Sequence, residues 1–444
     1  MKKILIIGAG RSSSSLIKYL INESSKNNWY VNVADRSIDV AQKLVANSSY
    51  AKAVYLDIND KDARNKIIND SDIVISMLPA ALHILVAQDC IVFKKDLVTA
   101  SYVSKEISAL NNAAKEANII LLNEIGLDPG IDHMSAMRII DNIKDLNGEL
   151  TSFKSYCGGL IHPEYDNNPW NYKFTWNPRN VVLAGRGVAQ YIDDNKIKFI
   201  PYNQLFKQFE DLEILDLGFF EAYANRDSLS YRKAYKIDNI PTLLRGTVRK
   251  KGFCKSWDIF IKLGLTDDSY QISNSDSLTY KEYINLFLPK NNELSIEENF
   301  CKYLSINIDS EEFKKMKWLD LFTSKKINIK SASPAQILQK ILEEKWTLSS
   351  NDKDMVVMKH EFEYFKNGNC FKVDSSLVVY GDTPVYTAMA KTVGLPVAIA
   401  TSLILKQKIK SKGVQIPTIK EIYKPILKEL ENNGINFIEN EYKI

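Results

Sequence analysis

The sequence predicts an α/β protein in which a doubly wound parallel sheet is accompanied by an α+β substrate domain and a small inserted helical domain. Two observations near the N-terminus and one further along predict the sheet. A short apolar run ends in a Gly-x-Gly turn, a second apolar run ends in an acidic residue, and strand-like and helix-like segments then alternate as far as residue 122. Alternation of this kind is typical of a sheet with helices on both faces.

The first element is the apolar run from Lys3 that ends at Gly8-Ala-Gly10. The two glycines allow a tight turn and a close approach of a ligand, and the helix that follows directs its free N–H groups and positive dipole end at an anion. Ser13 occupies the third glycine position, within the serine run 12–15. Serine in a first helical turn can cap N–H groups or bind phosphate, although low-complexity sequence gives the same pattern.

The second element is the run 31–35, which ends in Asp35. A dinucleotide-binding domain places the carboxylate that binds the adenosine ribose at about this position. Further strands and helices are predicted, in alternation, at 53–56, 60–68, 73–77, 80–93, 97–99, 104–117 and 119–122. The series predicts a Rossmann-type doubly wound parallel sheet, which makes nicotinamide chemistry the first hypothesis.

Length and composition are those of an ordinary globular protein. The chain has 444 residues, of which 45% are hydrophobic and 25% charged. At roughly 100–200 residues per domain, this length is enough for about two or three cores. The formal charge of +4 is small and the lysines are spread along the chain, so no basic cluster indicates a nucleic-acid partner.

The cysteines indicate a reducing compartment, expected to be the cytoplasm. No Cys-x-x-Cys pair is present, and the five residues lie far apart, at Cys90, Cys157, Cys254, Cys301 and Cys370. This spacing favours neither a zinc site nor a disulfide framework. The N-terminus leads directly into a strand and then glycines, so no signal segment is expected. We also expect no apolar stretch of about 18 residues or more, and hence no membrane partner.

The pattern changes after residue 130. Short strands alternate with loops rich in Asn, Pro, Gly and Trp, and short amphipathic helices follow from about 266 to 348. A hairpin is predicted around Asn367-Gly-Asn369, and then a long apolar helix at 383–407 that is interrupted at Gly394 and Pro396. The expected domains are a dinucleotide-binding domain (1–130 with about 383–444), a substrate-binding α+β domain (about 131–265 with about 349–382) and a helical domain (about 266–348).

Six segments carry more glycine, proline and isolated polar residues than packing requires. They are Thr99–Val103, Asn123–Met134, Ser155–Leu160, Asn168–Trp176, Tyr223–Ser228 and Leu244–Phe253. In order and spacing they resemble the glutamate-forming saccharopine dehydrogenase family, also called saccharopine reductases. The resemblance continues at Val379–Asp382 and Ala388–Pro396 and covers nearly the whole chain, least clearly in the lysine-rich helical stretch.

The resemblance implies an NAD- or NADP-dependent oxidoreductase of lysine metabolism. Such an enzyme oxidises saccharopine beside its secondary amine, and water then releases glutamate and 2-aminoadipate 6-semialdehyde. The resemblance implies substrate contacts at Ser101, Tyr102, Asp128, Arg226, Thr247, Val248 and Arg249. It implies cofactor contacts at Gly8, Gly10, Arg11, Ser12, Ser13, Asp35, Arg36, Asp57, Ile58, Leu78, Pro79, Leu127, Asp128, Phe174, Thr175 and Trp176.

The chemistry of this substrate explains why arginines are candidate binding residues. Saccharopine has three carboxylates, and arginine offers each a planar pair of donors that lysine does not reproduce. A single arginine is explained equally well by an ion pair on the protein surface. Arg226 and Arg249, however, lie within the polar segments, which favours a binding role. Arg245 shares the face of Arg249 on a strand and is a candidate supporting residue. Arginine is the recognition element that this substrate class predicts.

The reaction also needs a group that accepts the amine proton and later activates water. The candidates are Asp128, Tyr102, Cys157 and His133. Each also has a purely structural interpretation: a turn or helix-cap acid, a packed histidine or a small buried thiol. No metal site is expected, because hydride transfer to nicotinamide needs none.

The cofactor and the rival functions stay open at this point. Asp35 can hydrogen-bond a ribose and would repel a 2′-phosphate, whereas Arg36 and Arg11 could attract one, and the acid favours NAD.

One rival function is that of a related dehydrogenase that acts on another secondary-amine conjugate of amino acids. Another is a non-catalytic nucleotide sensor. A homodimer is expected as the assembly.

Overall fold

The computed structural model describes residues 1–184 and 187–444, which divide into two compact units. Unit 1 comprises Met1–Leu150, Ala234–Ile237 and Lys353–Ile444, and unit 2 comprises Thr151–Lys233 and Asp238–Asp352. The predicted α/β class with a doubly wound parallel sheet is confirmed. The three-domain division, with a separate helical domain, stays a prediction.

The strands are β1 (Lys2–Ile7), β2 (Trp29–Asp35), β3 (Ala51–Tyr55), β4 (Ile73–Ser76), β5 (Asp96–Val98), β6 (Ile120–Leu122), β7 (Glu149–Ile161), β8 (Ala189–Asp193), β9 (Lys196–Ile200), β10 (Phe209–Glu213), β11 (Phe219–Ala224), β12 (Thr242–Lys250), β13 (Ile272–Ser273), β14 (Ser331–Ala332), β15 (Asp354–Lys366), β16 (Asn369–Tyr380), β17 (Gly413–Gln415) and β18 (Phe437–Lys443).

The helices are α1 (Ser14–Asn27), α2 (Ile38–Val45), α3 (Lys61–Asn69), α4 (His83–Val92), α5 (Lys105–Ala109), α6 (Asn111–Glu116), α7 (Ile131–Asp145), α8 (Pro178–Val182), α9 (Tyr202–Leu205), α10 (Tyr231–Ala234), α11 (Phe253–Lys262), α12 (Tyr280–Asn285), α13 (Ile296–Leu304), α14 (Glu311–Trp318), α15 (Pro334–Trp346), α16 (Ala388–Leu405) and α17 (Lys420–Asn432).

The parallel sheet of unit 1 has seven strands in the order β17-β6-β5-β4-β1-β2-β3. The first six strands of the chain form most of it, and the apolar runs of β1, β4 and β6 are buried on both faces, as is typical of parallel sheets. Leu5, Val74, Leu97 and Leu121 meet in the core beside the sheet. The C-terminal part of the chain supplies β17, which pairs in parallel with β6.

Helix α16 runs without a break from Ala388 to Leu405, so the interruption predicted at Gly394 and Pro396 is wrong. A proline inside a helix costs about 3 kcal/mol. Most residues of α16 are buried, and this burial offsets the cost. Gly394 lies against α1, where it permits close contact between the two helices.

The expectation that the chain has no long apolar stretch is also wrong for α16. Its 18 residues have a mean hydropathy of 1.7, which by length and composition would allow a membrane span. In the structure 78% of the helix is buried inside the protein. Burial of this extent is typical of a core helix.

Unit 1 also contains antiparallel strands. Strands β15 and β16 form the predicted hairpin, with Asn367 and Gly368 in the left-handed region at its turn, and β18 pairs with β16. The Asp354 carboxylate, at the start of β15, accepts the N–H groups of Ala388 and Met389 at 2.6 and 2.9 Å and so caps α16.

Unit 2 is built around β12. It pairs in antiparallel fashion with β11 and in parallel with β7, while β10 lies beside β11, and the β8–β9 hairpin contacts β12. Helices α12, α13 and α15 each begin with a capping box, which defines their starts in this lysine-rich stretch.

We predict that Gly394→Ala destabilises the protein. The added Cβ would lie 2.9 Å from the Leu16 nitrogen and 3.0 Å from the Ser12 oxygen, both backbone atoms that cannot move aside. Overpacking of this kind costs about 1–3 kcal/mol, more than the roughly 1 kcal/mol that alanine gains over glycine in a helix. The thermal unfolding midpoint should therefore fall.

Gly10→Ala is the matched control, because a Cβ at Gly10 meets nothing within 4 Å. Its midpoint without ligand should equal that of the wild type. An unchanged midpoint for Gly394→Ala would contradict the close packing of α1 against α16.

Candidate active site

The turn between β1 and α1 has the geometry of an anion-binding turn. Gly8 has a φ of +106°, and a Cβ there would lie 2.8 Å from the Met77 carbonyl oxygen, so only glycine fits. Gly10 is exposed, with open space where a Cβ would be. Ser13 donates its hydroxyl to the Gly10 carbonyl at 2.7 Å and so stiffens the turn. The backbone at the start of α1 is therefore open to a phosphate.

Asp35 holds this turn in place. Its Oδ2 accepts the Ala9 N–H at 2.7 Å, and its Oδ1 accepts the Ser37 N–H at 2.7 Å. Each carboxylate oxygen has a second lone pair, so these bonds leave acceptor capacity for a ribose hydroxyl. The sequence placed this acid correctly at the end of β2 but did not show that it fastens the glycine turn.

The sequence-predicted cofactor residues of unit 1 lie at the carboxyl ends of five parallel strands. They lie at or just after the ends of β1 (Gly8, Gly10, Arg11, Ser12, Ser13), β2 (Asp35, Arg36), β3 (Asp57, Ile58), β4 (Leu78, Pro79) and β6 (Leu127, Asp128). This is the edge at which open α/β sheets bind ligands. Leu127 and Ile58 are buried, whereas Arg11 and Arg36 are exposed.

Tyr102 and Asp128 meet at the same edge, on the loops that follow β5 and β6. The Tyr102 hydroxyl donates to Asp128 Oδ1 at 3.1 Å, and both side chains are half-buried. Gly130 has a φ of +147°, and a Cβ there would overlap Gly126, so the turn that carries Asp128 tolerates no side chain at that position. Two of the candidate proton-carrying groups are thus hydrogen-bonded to each other.

His133, another candidate base, stabilises the loops that follow β5 and β6 through hydrogen bonds in the interior. It is fully buried, its Nε2 lies 2.9 Å from Glu124 Oε2, and its Nδ1 lies 2.6 Å from the Tyr235 hydroxyl. Glu124 Oε1 accepts the N–H of Val103, next to Tyr102, at 3.0 Å. Sequence reasoning missed Glu124, because its left-handed φ of 56°, which indicates a constrained position at a non-glycine residue, is seen only in the structure.

In unit 2, Arg249 is a buried cation. Its residue is only 3% exposed, and the guanidinium carbon lies 5.2 to 6.0 Å from the ring centres of Tyr172, Phe253 and Tyr223. Burial raises the pKa of the Tyr223 phenol to about 12 and also raises that of Tyr172. Both phenols are therefore neutral at ordinary pH and supply no opposite charge.

Among the described residues, no carboxylate lies within ion-pair distance of Arg249. Its Nη1 donates to the Val248 carbonyl at 2.9 Å, and its Nε has no partner in the described part of the chain. Glu221, opposite Arg249 on β11, instead accepts the N–H groups of Gly252 and Cys254 at the start of α11. A buried guanidinium without a carboxylate is costly unless an anionic ligand binds it.

The other predicted substrate residues of unit 2 lie on or beside β12. Thr247 is opposite Cys157 on β7, and the Cys157 thiol is buried. Val248 is fully buried. Arg226 is exposed, on the loop after β11, and has a φ of 48°. A non-glycine residue in this region is strained, and such strain concentrates at functional sites.

Arg245 is buried and stacks over the Tyr231 ring at 4.2 Å. The segment with Phe174, Thr175 and Trp176 also lies in unit 2, where the Phe174 N–H donates to the Trp346 carbonyl at 2.7 Å. Lys173, just before it, forms a buried ion pair of 2.7 Å with Asp352. This pair ties the start of the segment to the rest of unit 2.

The fold and these sites define a class: a dinucleotide-binding α/β protein that also has a separate set of arginines in unit 2. In the part of the chain that the structure describes, no group of three or more His, Cys, Asp and Glu side chains is arranged to hold a metal ion.

Comparison with known proteins agrees with this class. Residues 4–122 match the family model described as the saccharopine dehydrogenase NADP binding domain, and residues 126–435 match the saccharopine dehydrogenase C-terminal domain. The chain belongs to the saccharopine dehydrogenase family, and the resemblance drawn from the sequence is confirmed.

Individual relatives match over the full chain. The chain is 34% identical to saccharopine dehydrogenase [NADP(+), L-glutamate-forming] of Pyricularia oryzae, with 98% of each protein covered. A solved apo saccharopine dehydrogenase (L-Glu forming) from Saccharomyces cerevisiae superposes with a TM-score of 0.89 at 34% identity and full coverage of both chains. The mitochondrial alpha-aminoadipic semialdehyde synthase of Rattus norvegicus is 34% identical over 98% of this chain, which spans only 47% of that protein.

We predict that Arg249→Met leaves the thermal unfolding midpoint of the free protein unchanged or higher. The substitution removes a buried charge that has no carboxylate beside it, and an apolar side chain of similar length suits the aromatic surroundings.

Lys173→Met is the contrasting control. It removes one partner of a buried ion pair and should cost about 3–5 kcal/mol, with a clear fall in the midpoint. Equal losses for the two variants would mean that Arg249 is already neutralised by the protein.

Proposed function

We propose that this chain is a nicotinamide-dinucleotide-dependent dehydrogenase that cleaves saccharopine oxidatively, and reversibly, to L-glutamate and 2-aminoadipate 6-semialdehyde. Saccharopine, water and the oxidised cofactor give the two products, the reduced cofactor and a proton. The family and the names of full-length relatives support the reaction class. The observation that carries the proposal is the buried Arg249 guanidinium, which has no carboxylate within ion-pair distance among the described residues.

Arg249 fits this substrate because saccharopine brings three carboxylates. A bound carboxylate would supply the missing charge, and the aromatic rings around the guanidinium exclude water and strengthen the pair. Arg226, Thr247 and the backbone at Val248 are proposed as further contacts in unit 2, and Ser101, Tyr102 and Asp128 in unit 1.

The residues of unit 1 fit a dinucleotide. The glycine turn has open space at Gly10, the start of α1 lies behind it, and the remaining proposed contacts follow along the edge of the sheet. Phe174, Thr175 and Trp176 are proposed as contacts from unit 2. When bound, the nicotinamide accepts the hydride that saccharopine loses.

We propose the Tyr102–Asp128 pair as the group that handles protons. The Asp128 carboxylate can accept the proton of the substrate amine, release it to solvent, and then accept one from the attacking water, while the Tyr102 hydroxyl orients it by donating to Oδ1. Both side chains are half-buried and so reachable, whereas Cys157 is buried as a thiol and is the weaker candidate.

For the choice of cofactor, we propose NAD. The Asp35 carboxylate ends β2, where a 2′-phosphate would be repelled, and its spare lone pairs suit a ribose hydroxyl. The exposed Arg36 beside it favours NADP, and the fungal relatives carry NADP in their names. Asp35 is the residue on which the preference is proposed to depend.

Location and assembly are proposed on simpler grounds. All five cysteines are free, which suits a reducing compartment such as the cytoplasm. Strand β9, which pairs with β8, exposes the apolar side chains of Ile197 and Phe199 beside Lys196 and Lys198. Exposed apolar side chains on a strand can support association between chains, although lysines on the same strand oppose it. A homodimer is therefore proposed, and light scattering of the purified protein measures it.

The test of function is an assay of the purified chain with saccharopine and, separately, NAD and NADP. We expect the absorbance of reduced nicotinamide to rise with NAD. The Arg249→Met variant, if stable as predicted above, should lose about 10- to 100-fold in kcat/KM, because a hydrogen bond to a charged group contributes about 1.5–3 kcal/mol. No absorbance change with either cofactor, at neutral or alkaline pH, would contradict the proposal. Turnover of another secondary amine instead would indicate a related dehydrogenase.

We predict that Asp35→Ser shifts the ratio of kcat/KM for NAD to that for NADP toward NADP by about tenfold, which corresponds to about 1.4 kcal/mol. The change removes repulsion at the 2′ position and leaves Arg36 available. Because Asp35 also fastens Ala9, both values are expected to fall, so the ratio is the informative measurement. An unchanged ratio would show that this carboxylate does not face the ribose.

A further inference from the structure

Three polar side chains of unit 1 form a chain that the proposed mechanism does not use. Ser76 ends β4, His83 begins α4, and Ser101 follows β5 in the loop that carries Tyr102. The Ser76 hydroxyl lies 2.8 Å from His83 Nδ1, and His83 Nε2 lies 2.7 Å from the Ser101 hydroxyl. Ser76 is 0% and His83 1% exposed, while Ser101 is half-buried.

The His83 ring is neutral. Burial lowers the pKa of the imidazole to about 4, and its first-turn position in α4 also disfavours a positive charge. A neutral imidazole has one N–H donor and one acceptor nitrogen. The ring therefore links the two serines in one of two directions, and the direction decides what the Ser101 hydroxyl can offer a ligand.

The buried end of the chain decides the direction. In the described part of the chain, the Ser76 hydroxyl has Nδ1 as its hydrogen-bond partner and no other. A buried hydroxyl proton needs an acceptor, so Ser76 donates to Nδ1 and the ring proton lies on Nε2. Thr99 Oγ1 is 3.4 Å from Nε2, farther than the Ser101 hydroxyl at 2.7 Å, so Ser101 is the main partner of this nitrogen.

With its proton on Nε2, His83 donates to the Ser101 oxygen. The Ser101 proton is then directed away from the ring, and no described residue accepts it. A hydroxyl oriented in this way can donate a hydrogen bond to a ligand, and a carboxylate is a strong acceptor for such a bond.

We propose that His83 is a positioning residue that holds the Ser101 hydroxyl as a hydrogen-bond donor for a carboxylate of the substrate. The inference rests on the proposed function for the identity of that substrate. It does not rest on it for the tautomer of His83, which is a property of the free protein.

The tautomer is measured by nitrogen NMR of the full chain labelled in its histidines. The chain has four histidines, and the His83→Asn variant identifies the signals of His83. We expect a protonated Nε2, an unprotonated Nδ1 and no titration between about pH 6 and 9, the range in which an ordinary histidine would begin to charge. A proton on Nδ1, or an imidazolium within this range, would overturn the inference.

The functional consequence is tested with a matched pair of variants. The amide nitrogen of Gln reaches the position of Nε2 and can donate to Ser101, whereas the shorter amide of Asn reaches only the position of Nδ1, beside Ser76. We expect His83→Gln to keep the KM for saccharopine within about threefold of wild type, and His83→Asn to raise it about tenfold with a smaller change in kcat. The Kd for reduced cofactor, from its fluorescence, should be the same in both.

Ser101→Ala should match His83→Asn, and the double variant should be no worse than either, because both remove the same donor. Equal kinetics for the Asn and Gln variants would overturn the positioning of Ser101. If the wild type does not turn over saccharopine, the proposed function fails, and the tautomer measurement still tests His83 independently.

Discussion

The turn between β1 and α1 is held from three directions, and the cofactor edge of unit 1 depends on it. From one side, Gly8 lies against the Met77 backbone, where no side chain would fit. From another, Asp35 accepts the Ala9 N–H. Behind the turn, Gly394 lets α16 approach the backbone of Ser12 and Leu16. A turn fixed in this way presents its N–H groups without reorganisation when an anion binds.

This arrangement gives Asp35 two tasks that are coupled. The same carboxylate fastens the turn and carries the charge that is proposed to select the cofactor. A change at this position therefore alters affinity for any dinucleotide together with the preference between two of them. Arg36, one residue further along and exposed, is free of the first task and can vary without disturbing the turn.

Unit 2 contains buried charges that are paired and one buried charge that has no ionic partner among the described residues. Lys173 and Asp352 neutralise each other in the interior and stabilise the fold, whereas Arg249 is equally buried and has no such partner among the described residues. Glu221 could have paired with it but accepts N–H groups at the start of α11 instead. An unpaired buried charge lowers the stability of the free protein, and we propose that substrate binding recovers this stability.

Much of the fold follows from local pattern. Apolar runs that end in glycine or an acid placed the strands of the parallel sheet, and Asn367-Gly-Asn369 placed a hairpin, because these signals act over a few residues. The order of the polar segments along the chain is enough to indicate the family. The sequence also singled out Asp128, Tyr102 and Arg249, since their residue types suit the chemistry.

The tertiary structure decided what depends on contacts between distant segments. Helix α16 continues through Gly394 and Pro396 because burial against α1 outweighs the local cost of proline. The hydrogen bonds of His133 to Glu124 and of His83 to Ser76 and Ser101 have no signature in the sequence, since each partner comes from a different element. Whether a buried charge has an ionic partner likewise depends on distances that only the folded structure sets. A sequence therefore determines which groups are available, and only packing determines which of them are left for a ligand.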